Sequence, residues 1–571
     1  MKAKKREAKA KTPAPGRGPW PWVLGVFLAV FAVFEVYGPV LRGPFLFDDD
    51  YLPFRSPGFA SDLGKWLGGV RPMLMFTYWV NFRISAEETF LYHVFNVIFH
   101  LAAGLFLFLI LRRLLALAGA GAERRDLLAA FGAGLFLLHP VQTESVAYVA
   151  SRSENLSVMF LLGAFAVFLC RRDEAVSWPR AAAILLLFGG AVASKEHTLA
   201  LPALLLLADY YFNPGFAWRG IRRNWRLYAP LAAGAALGAA FVLRVLMASG
   251  SAGFGVKDIR WHEYFFTQGR AIWVYLRLMV LPYGQTIDYD FPISRTPWQH
   301  GAAAGLLALA AVTAAAWFYR RRWPLASFGW FAFLILIAPT SSFVPIQDPI
   351  AERRLYLPMM GLLLIALEFL RRWNAGRKEL AGATAAVLLA ASVVTYNRNQ
   401  VWTGAVTLWE DTVRKSPGKA RAHFHLGYAY YTANRCAEAI TAFRKVEELQ
   451  GPGYDLMVDW AMAHDCLNQP EEAVKRLRQA VAFSPDAHAQ SMIGMIYAKQ
   501  SRWDEALAEL AAAEKMNPAY AMTYVYRGGV RLAQNDAAAA AAEYRRALRL
   551  EPHNAVAAQA LAQAEQRLRS R

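Results

Sequence analysis

Three adjacent carboxylates, Asp48, Asp49 and Asp50, close an aromatic-flanked run, Phe45-Leu46-Phe47-Asp48-Asp49-Asp50-Tyr51. Carboxylates this close repel one another and raise at least one pKa unless a cation or a proton-sharing partner is at hand, so the run is suited to taking a proton from a reacting group. A solvated acidic turn is the plain alternative. A second cluster, His139-Pro140-Val141-Gln142-Thr143-Glu144, runs on to Tyr148 and Ser151-Arg152-Ser153-Glu154-Asn155. His139 with Pro140 can equally end a helix, and Arg152 with Glu154 can be a local ion pair. A zinc site needs a third ligand at proper spacing, and none is visible. Lys195-Glu196-His197 lies between two apolar runs, where ionisable groups are costly and usually functional or paired. A Lys-to-Glu pair holding two helices and a substrate contact both fit it. A fourth group comprises Gln268, Arg270, Tyr275 and Arg277, then Gln285, Asp288, Tyr289 and Asp290; Arg270 and Arg277 are seven apart, hence on one helix face. Guanidinium groups at a lipid boundary suit a phosphate or pyrophosphate head group, or else snorkel to bulk lipid. The fifth is Glu352-Arg353-Arg354-Leu355-Tyr356.

What must position these clusters is a membrane. The chain has 571 residues, 56% hydrophobic and only 18% charged, which argues against a purely cytosolic enzyme. Apolar runs of about 20 residues recur up to about residue 400, the length needed to cross a bilayer. The first is preceded by a basic tail (1–19) and followed by Arg42-Gly43-Pro44 rather than a small-residue cleavage site, so it reads as an uncleaved anchor. Assigning the basic loops to the cytoplasm puts 25 Lys and Arg in 69 positions inside, against 14 in 129 outside. That asymmetry fits eleven spans, at 20–41, 91–111, 127–138, 155–170, 181–194, 198–212, 227–247, 300–319, 324–344, 355–370 and 380–396. Counting 265–281 as a twelfth would turn Arg320-Arg321-Arg322 outward, so this segment is expected as a helix lying in or dipping into the outer leaflet. Glu35, inside the first span, is expected to pair with a basic group. The net charge of +19 is then largely a topology signal and not a nucleic-acid surface.

Beyond about 401 the apolar runs give way to a period. Pro417, Pro452, Pro485, Pro518 and Pro552 recur every 33 to 35 residues, as do Ala439, Ala473, Ala506 and Ala540, the spacing of a tetratricopeptide (TPR) helical pair. Four full repeats are expected over 401–571, with a half-repeat before them (Leu408 to Pro417) and a capping helix after them from His553. The predicted fold class is all-α: a polytopic helical membrane domain (20–400) followed by a TPR α-solenoid. An odd number of spans puts the array outside, beside the long loops. Cys170, Cys436 and Cys466 are too few for a disulfide framework and have no CxxC spacing. Cys436 and Cys466 are expected to stay unpaired, although an oxidising compartment would permit a bond.

All five clusters then share one membrane face beneath a peptide-binding array. Carboxylates near phosphate-binding cations suggest a transferase that moves a group from a lipid-phosphate donor to a polypeptide. A non-enzymatic membrane-anchored TPR scaffold for envelope proteins is the rival from another class. A transporter fits less well, because the ionisable clusters avoid the membrane midplane.

At FLFDDD (45–50), HPVQTESVAYVASRSENLS (139–157), SKE (194–196), TQGRAIWVYLRLMVLPYGQTIDYDFP (267–292), ERRLYLP (352–358) and the repeats, the chain resembles the transmembrane-and-TPR protein O-mannosyltransferases, within the GT-C superfamily of membrane glycosyltransferases. The resemblance implies inverting transfer of mannose or another hexose from a polyprenyl-phosphate-linked donor to a Ser or Thr hydroxyl on the outer face of a bacterial inner membrane. It implies Asp48 as general base and Asp49 as a positioning or metal-facing carboxylate, with exchanged roles open and Asp50 leaving the register open. Arg152, Lys195, Arg270, Arg277 and Arg353 become candidates for the donor phosphate. Further site candidates are His139, Glu144, Glu154, Glu196, Gln268, Tyr275, Asp288, Asp290, Glu352 and Tyr356. Some relatives in the superfamily use a divalent cation and others do not, so the cofactor stays open. A GT-C enzyme that modifies lipid or glycan is the variant within the class.

Overall fold

The computed structural model describes residues 20–52, 62–171, 175–213, 215–248, 253–256 and 258–570, so the basic tail lies outside the described residues. Across them the chain is helix and loop, with no strand. A backbone surrounded by hydrocarbon must satisfy its own hydrogen bonds, and a helix does so within one segment. Each of the eleven apolar runs contains a helix, although that of 324–344 ends at Ile337 and that of 355–370 begins its α-helix at Met359. Five are long and apolar enough to cross a membrane: Trp22–Val40, Thr89–Leu117, Val149–Leu169, Gln299–Phe318 and Arg377–Thr403. The other six do not reach that measure over the described residues, two of them, Trp178–Val192 and Pro324–Ile337, being apolar but short.

Thr89–Leu117 packs along Arg152–Leu169 and Ala122–Leu138, forming the centre of the bundle. Pro324–Ile337 and Met359–Arg372 cross at Gly329 and Gly361, where a Cβ on either glycine would strike the other's carbonyl oxygen. Small residues at such crossings let backbones approach in an apolar solvent. The segment expected at the outer leaflet is the helix Trp261–Val280, packed against Ala302–Phe318. Glu35 is exposed and, among the described residues, forms no ion pair, contrary to the expectation of a basic partner.

The C-terminal part is a stack of helical hairpins: Ala420–Thr432 with Cys436–Gln450, Tyr454–Cys466 with Pro470–Phe483, Ala487–Lys499 with Trp503–Met516, and Ala521–Ala533 with Ala537–Leu550. Ala405–Lys415 precedes them and Ala555–Arg569 closes the stack. Each hairpin turns through one left-handed residue, Asn434, Asn468, Ser501 and Asn535, three of them the asparagine that tolerates positive φ. Gly427 allows Phe443 to lie directly against its helix, where a Cβ would clash with the ring. The first helices of the first and second hairpins touch one another, as do those of the third and fourth, so the first helices line the inner curve.

Cys436 and Cys466 are joined as a disulfide, Cα atoms 6.3 Å apart, and the expectation of unpaired thiols is corrected. One begins the second helix of the first hairpin and the other ends the first helix of the next, so the chain reversal between them brings together residues that sequence spacing holds apart. Closing a loop of 30 residues removes unfolded-chain entropy equivalent to about 3.6 kcal/mol. Cys466→Ser is expected to lower the apparent melting temperature of the full-length protein in detergent by several degrees, and dithiothreitol to do the same to the wild type but not to the variant.

The repeats are tied to the membrane domain by charge. Asp288 takes a bidentate pair from Arg421, at 2.8 Å twice, and Arg421 also reaches Asp348 at 2.7 Å. Lys415 donates to the Gln285 carbonyl at 2.8 Å, and Asp290 N–H to Ser416 Oγ at 3.2 Å.

Candidate functional site

The acidic run forms a short 3-10 helix, Phe47–Tyr51, entered through Phe47 at φ +51°, a left-handed conformation costly for a bulky residue. Packing over-determines it: the Phe47 ring lies edge-on to Trp409 and His425 of the repeats, 5.4 and 4.9 Å between ring centres. The two described carboxylates then part company. Asp49 is buried; one of its oxygens accepts from Leu46 N–H at 2.9 Å and the other from Ala150 N–H at 2.6 Å, pinning the run to the 139–155 cluster. Asp48 is exposed, and its backbone N–H donates to the Tyr148 hydroxyl at 2.8 Å. The Asp50 side chain lies outside the described residues.

Three cation–carboxylate pairs form a linked group, the first of them within electrostatic reach of Tyr148. Arg353 pairs with Glu144, which also accepts from the Arg353 backbone N–H at 3.0 Å. Lys195 pairs with Glu154, and Arg71 makes a bidentate pair with Glu196 at 3.0 and 2.9 Å. They act on one another: Arg353 lies within electrostatic reach of Tyr148 and Glu154, and Lys195 of Arg71 and Arg353. Burial works to lower the Arg353 pKa, but Glu144 holds it above its ordinary value. Glu144 and Glu154 are buried behind their partners, while Arg353 keeps 27% of its side chain exposed and Lys195 17%. Each cation therefore keeps some exposed surface above a buried counter-charge.

Around this centre, buried polar atoms have no hydrogen-bond partner among the described residues: the hydroxyls of Thr143, Ser145 and Ser151, both amide atoms of Asn155, and both ring nitrogens of His197. Orphaned buried polar groups are uncommon and mark places where water or a ligand completes the bonding. His197 Nε2 lies 3.5 Å from Glu154 Oε2, and burial lowers the imidazole pKa to about 4, so the ring is neutral.

The remaining candidates are elsewhere. Arg152 does not face the cluster: it is fully buried and donates to Asn96 Oδ1, Asn81 Oδ1 and the Tyr92 carbonyl while lying over the Tyr78 ring, so it positions helices and has no face for phosphate. It does not pair with Glu154. Arg270 donates to Pro292 O and Ser294 Oγ over the Phe291 ring, and Arg277 lies over Tyr283, so both brace the loop after their helix. Gln268 donates to Pro349 O, Tyr275 accepts from Ala351 N–H, and Tyr356 meets His100 in the core. His139 Nδ1 accepts from Val141 N–H and its Nε2 meets the Met279 carbonyl, a helix-end role. Asp288 and Asp290 belong to the junction with the repeats. Arg71 is the residue that sequence reasoning missed; its one signal is a cation just ahead of Pro72, which starts a helix.

Glu352 is buried and accepts from Gln285 Nε2 at 2.6 Å, Thr286 N–H at 2.7 Å and the Tyr289 hydroxyl at 2.8 Å. Burial pushes its pKa up to about 7, above the unfolded value, so the folded state holds the proton more tightly. Stability from this group is therefore present at low pH and falls as pH rises from about 4.5 towards 7. The apparent melting temperature is expected to drop between pH 5 and pH 7.5, and Glu352→Gln to flatten that slope.

No group of three or more His, Cys, Asp or Glu gathers as metal ligands among the described residues, and Asp49 engages both oxygens with backbone amides. No step is derived through a cation.

A tetratricopeptide-repeat family model matches residues 396–453, 458–521 and 491–555. A protein O-mannosyl-transferase of Caenorhabditis elegans is 25% identical over 62% of this chain and 50% of its own length. The Tmtc3 protein O-mannosyl-transferase of Drosophila melanogaster is 24% identical over 82% of this chain and 59% of its own, and human TMTC3 22% over 81% and 55%. The chain spans about half the length of the curated relatives it matches. The chain is similar over most of its length to proteins named protein O-mannosyl-transferases, and it joins helices long and apolar enough to cross a membrane to C-terminal tetratricopeptide repeats.

Proposed function

We propose that the chain transfers a hexose, mannose being the first candidate, from a polyprenyl-phosphate-linked donor to Ser or Thr hydroxyls of proteins. One observation carries this reading: Asp48 is an open carboxylate on a loop locked in place by its buried neighbour, within the same cluster as the partly exposed cations Arg353 and Lys195. In the step proposed, Asp48 takes the hydroxyl proton as that oxygen bonds to the anomeric carbon. The bond from that carbon to the phosphate oxygen breaks on the opposite face, inverting the centre. Arg353, Lys195 and Arg71 meet the charge that develops on the leaving phosphate. The unpartnered Asn155, Ser151 and His197 atoms suit sugar hydroxyls. The names of the relatives support a protein acceptor, recruited by the repeats.

The site is assigned to the outer face of a bacterial inner membrane, with a cytoplasmic N-terminus, eleven spans and an external array. The disulfide between Cys436 and Cys466 supports that side, since such bonds persist in oxidising compartments. A cryo-EM structure with a polyprenyl phosphate bound tests the reading. The phosphate is expected against Arg353 and Lys195; a phosphate seated on Arg270 and Arg277 instead would overturn the assigned site.

A further inference from the structure

A cleft of about 510 Å³ opens where the first two repeats meet the membrane-domain segment around Asp348. Lys419, Arg421 and Phe424 form one wall, and Tyr454 and Asp455 the other. Its two cations are already matched: Arg421 holds Asp288 and Asp348, and Lys419 lies 3.5 Å from Asp288. Asp455 has no such match among the described residues. Asp459, one turn further along the same helix, has no hydrogen bond or ion pair among the described residues either, and burial beside Asp455 pushes its pKa up to about 7. The unmatched charge of the cleft is therefore negative.

Repeat register extends the cleft. Helix positions equivalent to Asp455 and Asp459 in the following hairpins are His488 and Met492, then Met522 and Tyr526, and the next position along the groove carries Met462 and Met495. Met462, Met495 and Met522 are only partly covered, along the inner curve of the array, whereas Met492 is buried. Thioethers are adaptable and pack against side chains of varied shape. The cleft also adjoins the acidic run: Arg421 and Phe424 share their helix with His425, whose ring packs on Phe47, next to Asp48.

We propose that this cleft docks the acceptor polypeptide as an extended segment that seats a lysine or arginine on Asp455 and Asp459 and lays apolar side chains along the methionine-lined inner curve. The proposal rests on the protein-acceptor reading above and deepens it, assigning the enzyme a class of acceptor: extended, tolerant in sequence, with a basic residue at a set distance from the hydroxyl.

The test uses the full-length protein in detergent and a fluorescein-labelled fifteen-residue Ser- and Ala-rich peptide with one central lysine, against the same peptide carrying norleucine. Anisotropy is expected to show the lysine peptide binding at least tenfold more tightly. Asp455→Asn with Asp459→Asn is expected to erase that preference, and Asp455→Lys with Asp459→Lys to transfer it to a glutamate peptide. Asp48→Asn leaves binding unchanged, so loss of transfer and loss of docking are read separately. Equal affinity for the lysine and norleucine peptides, or an undiminished preference in the double Asn variant with an unaltered melting temperature, overturns the proposal.

Discussion

Asp48→Asn is expected to lower sugar transfer by about 10²- to 10⁴-fold, the contribution of a positioned general base, while the protein still inserts and melts at its wild-type temperature. An amide cannot take the proton of a hydroxyl, and an exposed side chain with no hydrogen bond or ion pair among the described residues costs the fold little when its charge is removed. Asp49→Asn is expected to behave differently. Its oxygens face two backbone N–H donors, Leu46 and Ala150, and an amide turns one donor towards another. A buried donor left unsatisfied costs about 1–3 kcal/mol. Asp49→Asn therefore loses stability as well as activity, and thermal unfolding beside initial rates separates the two roles.

The second large effect is at Arg353. Arg353→Gln removes the partly exposed cation and strands Glu144, which is 1% exposed, so a stability loss of about 3–5 kcal/mol is expected together with a roughly 10- to 100-fold rise in the donor KM. Adding Glu144→Gln removes the stranded charge. The double variant should regain most of the stability and none of the donor affinity. Recovery of both would mean that Arg353 acts only as the partner of Glu144.

Much of the architecture was legible because it is written in periodicities: each of the eleven apolar runs contains a helix, and the 34-residue spacing is the hairpin stack. The pairing inside the site was not. Lys195 and Glu196 are neighbours in sequence, yet Lys195 sits in extended backbone (φ −162°) while Glu196 begins a helical turn, and the two side chains find different partners, Glu154 and Arg71. Arg152 looked like one more phosphate ligand because residue type does not reveal which way a buried helix faces; its partners Asn81, Asn96 and the Tyr92 carbonyl come from two other helices. Arg270 and Arg277 do share a helix face, as their spacing requires, but that face meets the loop that follows. The disulfide was missed because its proximity is created by a turn between repeats.

The central claim, that Asp48 serves protein glycosylation from this cluster, is tested most directly by intact-mass spectrometry of envelope proteins from cells carrying wild-type, deleted, Asp48→Asn or Asp49→Asn alleles. Hexose on Ser or Thr in the wild type, absent from the deletion and the Asp48→Asn strain, is the predicted result. Identical glycoforms in all four strains would contradict it and leave the protein a membrane-anchored scaffold.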